Sequence, residues 1–398
     1  MASVMRRSVA MFLLLAFIPL LGGCWSRIEI NDRAFVTGVF VDKGKEPGTL
    51  ELTLAFPLPN RLSTDVQTGP QSTGQPYATV TKQGVNFAAA LRKIQADLTR
   101  RIAWGHTRIV VIGRELAEEG IRPVLEFVAR QPSFQLKTFV MVAPEKALEI
   151  TKLTPVFERT PYEVLREFGA QPALIATNVR DFLTALDDAP DMYANLLTFG
   201  ETEMVSEKGK RSPWAGTYGA AVFREGRMVG TLDVDETRAL FWIEGGMKNS
   251  LITVRMPDNG ELVSVLFVPS KPLIKPKLEG DGRIVFEISI RGVGDIVSSE
   301  SDMDLVSSEN IKYIQKRFSS QLEDYMLKGL TETQKYGSDV LQLGKFVSWR
   351  YPKKWEQISR NWRDVYKEEV SFRLHADLEI TRLGKETNPL WVKLKPSE

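Results

Sequence analysis

Cysteine and histidine are nearly absent from this chain, with one of the first and two of the second in 398 residues. A lone cysteine has no partner for an intramolecular disulfide, so the fold must stand on hydrophobic burial. The two histidines, His106 and His375, are separated by most of the chain, which leaves too few spaced imidazole and thiolate donors for a zinc site. Net charge is lacking too: 52 basic residues against 50 acidic ones give a formal charge of +2. No whole-chain basic field calls for nucleic acid or a polybasic membrane contact. Beyond the first two dozen residues there is no long apolar run. There is no Gly-x-Ser-x-Gly elbow, no phosphate loop ending in Gly-Lys-Ser/Thr, and no Gly-x-Gly-x-x-Gly between strand and helix. Gly292-Val293-Gly294 comes nearest, but the third glycine is missing and Asp295 follows, so it reads as a turn. No cofactor and no metal are expected.

What is present starts at the front of the chain. Arg6 and Arg7 precede residues 9–21, which carry no charge, and Leu21-Gly22-Gly23-Cys24 comes next. This is the layout of a secretory signal, with a positive start, a short apolar stretch and small residues at a cleavage point. A leucine three residues before a cysteine, with glycines between, resembles the lipobox of bacterial lipoproteins. There the cysteine sulfur receives a diacylglyceryl group and becomes the new N-terminus. A spanning anchor fits less well, because residues 9–21 fall short of the ~20 needed to cross a bilayer and Pro19 interrupts them. An ordinary signal with an incidental cysteine leaves that cysteine without a partner. The expectation is therefore removal of residues 1–23 and lipid attachment at Cys24. Two or more acyl chains would hold the protein stably on a membrane, whereas one would hold it marginally.

At roughly 100–200 residues per domain, the rest of the chain is long enough for two or three domains. The expected class is α+β, mixed α/β, in three domains, each a mixed or antiparallel sheet flanked by helices. The first domain, 24–200, opens with strands at 34–42 and 49–56, followed by a polar loop at 57–76. From Gly84 the spacing becomes helical, with Val85, Ala88, Leu91, Ile94 and Leu98 on one face. Strands at 109–112 and 139–143 alternate with a helix at 116–130 and another opened by Thr160-Pro161-Tyr162-Glu163. Val179, Phe182, Leu183 and Leu186 form a further helical face. The charged stretch 201–213 reads as the main boundary. A small middle domain, 214–270, then holds hairpins at 219–232 and 251–268, the first turning at Glu225-Gly226. Pro269, Pro272 and Pro276 suggest a stiff linker. The last domain, 273–398, has a hairpin about Gly280-Asp281-Gly282 and the longest helix, with Ile311, Ile314, Phe318, Leu322, Tyr325 and Leu330 on one face. A helix begun by Tyr351-Pro352 and a closing strand at 370–383 complete it.

Few side chains suggest chemistry. Asp233-Val234-Asp235-Glu236 lacks the spacing of a calcium loop and reads as helix capping by Asp233 or Asp235. His106, just before a buried strand, reads as a hydrogen-bonded structural residue. Trp349, Trp355 and Trp362 could form a sugar-stacking platform, but their helical setting makes packing the simpler role. An envelope hydrolase would be supported by a buried acid pair or a histidine–acid contact in a pocket.

The chain resembles the Ger(x)C family, the C-subunit lipoproteins of the germinant receptors of endospore-forming bacteria. The resemblance begins in Gly23-Cys24-Trp25-Ser26-Arg27-Ile28-Glu29-Ile30-Asn31-Asp32 and continues through the strand at 36–42. It includes Gly105-His106, Leu116-Ala117, Gly120-Ile121, Gly219-Ala220-Ala221-Val222-Phe223, Glu236-Thr237-Arg238, Tyr351-Pro352-Lys353-Lys354-Trp355 and Trp362. Gly22 departs from the pattern, since Thr, Ser or Ala is commoner two residues before the cysteine. The resemblance implies a three-domain, lipid-anchored, non-enzymatic protein on the outer face of the spore inner membrane. Its partners would be the integral-membrane A and B subunits of a receptor for nutrients. Only Cys24 is carried over as a site residue. A substrate-binding lipoprotein of a membrane transporter is the alternative, expected to show two similar α/β lobes about a cleft.

Overall fold

The computed structural model describes residues 29–62, 74–171, 174–188, 191–256, 260–300, 303–305 and 307–382. Cys24 and its neighbours through Ile28 lie outside them. So do most of the 57–76 loop, turn residues 257–259 and the chain beyond 382.

The first half builds an eight-stranded mixed sheet. Its strands are β2 (Gly38–Lys43), β3 (Leu50–Pro57), β4 (Tyr77–Gly84), β6 (Ile109–Ile112), β7 (Phe139–Val142), β8 (Met192–Met204), β9 (Lys210–Arg224) and β10 (Arg227–Leu232). The spatial order is β10-β9-β8-β7-β6-β2-β3-β4, with β8, β7, β6 and β2 parallel and the outer pairs antiparallel. Two short strands, β1 (Arg33–Phe35) and β5 (Arg101–Ala103), pair separately. Parallel neighbours need crossovers, and helices supply them. These are α1 (Phe87–Ala96), α2 (Arg114–Glu119), α3 (Arg122–Arg130), α4 (Pro161–Ala170) and α5 (Val179–Asp188).

Side chains alternate between the two faces with period two. Val39, Val41, Val110 and Ile112 pack under α1, α3 and α5, while Phe40, Ile109, Val111 and Met141 pack under α4 and the short helix Ala147–Ile150. Both faces are covered, so β6 (Ile-Val-Val-Ile) is wholly buried.

The second sheet is covered on one face. Strand β14 (Ile284–Ser299) is its spine. One edge of β14 pairs first with β13 (Leu273–Leu278) and then with β12 (Leu262–Pro269), which in turn pairs with β11 (Ser250–Arg255). The other edge pairs in parallel with β15 (Val370–Arg382). Helix α7 (Ser308–Lys335) lies across the inner face through Ile314, Phe318, Leu322, Met326 and Leu330. Helix α6 (Val234–Glu244) joins the same core, and α8 (Leu343–Arg350), α9 (Pro352–Ile358) and α10 (Trp362–Glu368) close the end. Among the described residues no helix is long and apolar enough to cross a membrane.

The mixed α/β class holds, but several expected details do not. The charged stretch 201–213 is the outer part of the β8–β9 ladder, where Glu201 faces Pro213 and Glu203 faces Arg211. The expected middle region, 214–270, has no sheet of its own. Its first hairpin closes the eight-stranded sheet, because Ala220, Ala221 and Val222 are apolar enough to be buried inside it, and its second hairpin joins the other sheet. The supposed proline linker contributes β13, where Pro276 is tolerated on a strand that pairs on one side only. Gly292 and Gly294 lie within β14 and make no turn. A Cβ at Gly294 would sit 2.6 Å from the Phe267 ring, so the glycine permits close approach. The helix expected at 116–130 breaks at Gly120, where φ is +138°. In α1 the buried side chains are Phe87, Ala90 and Ile94, and Val85 stays exposed before the helix begins.

Candidate functional site

Cys24, the one residue to which sequence assigns a role, lies outside the described residues. Among the described residues, no group of three histidine, cysteine, aspartate or glutamate side chains is placed to hold a metal. His106 is exposed and meets Phe35 edge-on at 4.7 Å, and His375 stands on the outer side of β15, 4.0 Å from Glu323. Asp233 caps α6 by accepting the Glu236 N–H at 2.8 Å, while the Glu236 carboxylate accepts the Asp233 N–H at 2.9 Å. Lys328 of α7 donates to both carboxylates at 2.8 Å, fastening α7 to α6. Trp355 and Trp362 pack into the core with rings 5.3 Å apart, and Trp349 is exposed.

The structure instead gathers charge where the two sheets meet. The β9–β10 turn has φ of 53° at Glu225 and 76° at Gly226, the backbone of a tight hairpin turn. It presents the Glu225 N–H to Asp191 Oδ1 at 3.3 Å and the Glu225 carboxylate to Arg363. Arg363 also donates to Asp191 Oδ1 at 3.2 Å. Asp191 Oδ2 accepts the Asp339 N–H at 3.1 Å, and Gln342 Nε2 donates to the Asp191 carbonyl at 2.7 Å. Asp339 in turn caps α8, accepting N–H groups of Leu343 and Gly344 at 2.8 Å and Trp362 Nε1 at 2.9 Å. Ser338 Oγ reaches the Phe223 carbonyl at 2.8 Å, and Arg224 reaches the Tyr336 carbonyl at 3.0 Å.

Both aspartates are buried, and burial pushes their carboxyls above the usual range. For Asp191, Arg363 opposes the rise. For Asp339, the N–H groups of Gly344 and Leu343 oppose it, and the group still reaches about 6. Glu225 is held low by Arg363. A buried acid pair therefore exists, but not in a pocket, where it would support a hydrolase. Its oxygens are taken up by backbone, tryptophan and guanidinium donors, and neither aspartate lines the neighbouring cleft. That cleft, of about 840 Å³, lies between α2–α3 and the β9–β10 turn and is lined by Glu119, Arg122, Arg224, Glu225 and Arg227. Arg122 and Arg224 are already bonded to backbone carbonyls. Such an arrangement fixes two bodies together. Sequence reasoning missed it because Asp191, Glu225, Asp339 and Arg363 are scattered along the chain; only Glu225, as a turn residue, and Trp362, beside Arg363, drew notice.

Residues 26–199 match the family model described as spore germination protein N-terminal domain. Residues 218–384 match that described as spore germination B3/GerAC like, C-terminal. The chain belongs to the Ger(x)C family of spore germination proteins. It is 25% identical to spore germination protein KC of Bacillus subtilis (strain 168), over 97% of this chain and 98% of that protein. It is 23% identical to spore germination protein B3 of the same organism, over 96% and 99% of the two chains. Spore germination protein GerQC of Bacillus cereus matches at 23% over 70% of this chain and 75% of that one. The crystal structure of the GerBC protein shares the fold, with a TM-score of 0.56 at 18% identity, covering 87% of this chain and 98% of that one. The two family regions part between β8 and β9, which are hydrogen-bonded neighbours. The Asp191–Arg363 pair likewise joins one region to the other.

Proposed function

We propose that the protein is a lipid-anchored, non-enzymatic subunit of a spore germinant receptor, held at Cys24 and assembled with integral-membrane A and B subunits on the outer face of the spore inner membrane. The observation that carries this reading is the match of both halves of the chain to spore germination families. The Gly-Cys-Trp opening and the saturated hydrogen bonding of the buried acids support it. A scaffold needs fixed relative positions of its parts, and the Asp191–Arg363–Asp339 junction supplies a means. The transporter alternative draws little support, since the two sheets differ in strand number and order and share one continuous core.

The test is Cys24→Ala in the spore-forming host. The variant is expected in the soluble fraction or as a signal-retaining precursor, with nutrient-triggered germination impaired and germination by a receptor-independent route intact. Normal germination on every nutrient would overturn the anchored-subunit reading. Co-purification of the wild-type chain with two multi-spanning proteins checks the partnership.

A further inference from the structure

One corner of the second sheet combines features that the junction does not use. Trp349 is 74% exposed, the most exposed tryptophan among the described residues. It stands on α8 at the mouth of a groove of about 690 Å³, lined also by Met247, Pro269, Pro272, Leu341 and Phe346. Leu273 at the start of β13 is half-exposed on the same segment. Trp349, Leu273 and the groove together leave apolar surface open to solvent at this corner.

The charge around it narrows what can cover it. Residues 269–278 carry three lysines, and residues 345–354 carry three lysines and Arg350, with no acidic residue in either stretch. Seven cations thus lie in twenty residues of a chain whose total is +2. Lys277 is paired with Glu287, and Glu244, the acid in the groove lining, accepts a hydrogen bond from Tyr193 at 2.6 Å.

We infer that this corner docks on an anionic lipid bilayer, with Trp349 at the headgroup–acyl boundary and Lys271, Arg350 and Lys353 against lipid phosphates. Tryptophan is suited to that boundary because its ring is apolar at one end and hydrogen-bonding at the other. Lysine and arginine stems lie along apolar surface while their charges reach outward. A nucleic acid would satisfy the cations but give Leu273 and the prolines no apolar phase to enter. The inference rests on the reading that the protein lies at a membrane. It adds that the folded body touches that membrane in a set orientation.

The test uses the mature chain, residues 24–398, carrying Cys24→Ala so that no lipid contributes. Binding to vesicles of phosphatidylcholine and phosphatidylglycerol in equal parts is measured by co-sedimentation, with phosphatidylcholine vesicles as control. The wild-type surface is expected to bind the anionic vesicles only. Arg350→Gln should weaken that binding roughly fivefold, the effect of one cation near such a surface. Trp349→Ser should weaken it as well, and both exposed substitutions should leave the unfolding midpoint unchanged. Three results would each overturn the inference. These are no binding to anionic vesicles, equal binding by the variants, or a Trp349-dependent dimer or oligonucleotide complex in place of lipid binding. None of them touches the anchor reading, which Cys24→Ala tests separately in cells.

Discussion

In the first sheet β6 reads Ile-Val-Val-Ile and every side chain is buried. In the second, β11 reads Ser-Leu-Ile-Thr-Val-Arg, and buried and exposed positions alternate. The parallel strands at the centre of the first sheet run between helices on both faces, so β6 is apolar throughout, and the buried Asp42 and Asn195 of its parallel neighbours are hydrogen-bonded to backbone. The second sheet has α7 on one side, and its other side carries Leu251, Leu266, Val293 and Val297 among polar neighbours. The centre of the first sheet is a closed interior. The second is a half-covered one whose outer face and corner meet the surroundings. That division is compatible with the proposed role, in which a rigid body offers surface to partners.

The comparison is broken most forcefully from inside. Phe318 of α7 is fully buried against Phe267 of β12, with ring centroids 5.3 Å apart. Phe318→Ala should cost about 3–5 kcal/mol, from lost burial and the cavity left behind. The core cluster that holds Phe318 also holds Tyr193, Ala220 and Val222 of the first sheet. Urea unfolding should therefore show one cooperative transition shifted to lower denaturant. If only part of the signal moved, in two separate steps, the sheets would be independent bodies and the shared core would carry no coupling.

The same contrast explains what the sequence made legible. Strands β2, β3, β6 and β7 and the long helix are plain because their apolar spacing is local and strong. Capping by Asp233 or Asp235 was legible, and the structure gives the role to Asp233, with Glu236 three residues on completing a capping box. The division into sheets was not legible. Residues 201–213 look like a linker by charge, yet β8 and β9 bond across them, and strand pairing is a long-range fact that composition does not carry. Gly292 and Gly294 mimic a turn by type, and only the nearby Phe267 and Trp242 rings explain them. At the junction the informative residues lie up to 172 positions apart, so no window of sequence contains the pair. The role proposed for Cys24 is the reverse case, since it rests on local sequence alone.

The seam between the sheets gives the next test. The Asp339 carboxyl lies at about 6 in the fold, above its ordinary value of 3.8, because burial outweighs its donors. Between about pH 4 and 6 the folded chain thus holds more protons at this site than the unfolded chain. Its contribution is greatest below the unfolded value and falls as pH rises through the folded one, by on the order of 3 kcal/mol. Asp191 shifts in the same direction. Asp339→Asn removes this titration, and its amide nitrogen cannot accept an N–H as a carboxylate oxygen does. The substitution should flatten the decline between pH 4 and 6, read as the difference between wild-type and variant unfolding free energies. A wild type that gains stability over that range relative to the variant would mean that the donors outweigh burial.

The smallest expected effect is the sharpest check on which face is open. Val293 sits in the middle of β14, next to glycines packed against the core, yet its own side chain is 48% exposed. Thr keeps the β-branched shape that a strand favours and places a hydroxyl where water can reach it. Val293→Thr should therefore change stability by no more than about 0.5 kcal/mol, as substitutions on an open surface do. One residue away along the same strand the side-chain direction reverses, and Gly294 admits no Cβ without moving Phe267. Gly294→Ala should cost clearly more than Val293→Thr in the same unfolding measurement. Equal costs at the two positions would mean that the outer face is packed like the inner one, and the contrast between a closed sheet and a half-open one would fail.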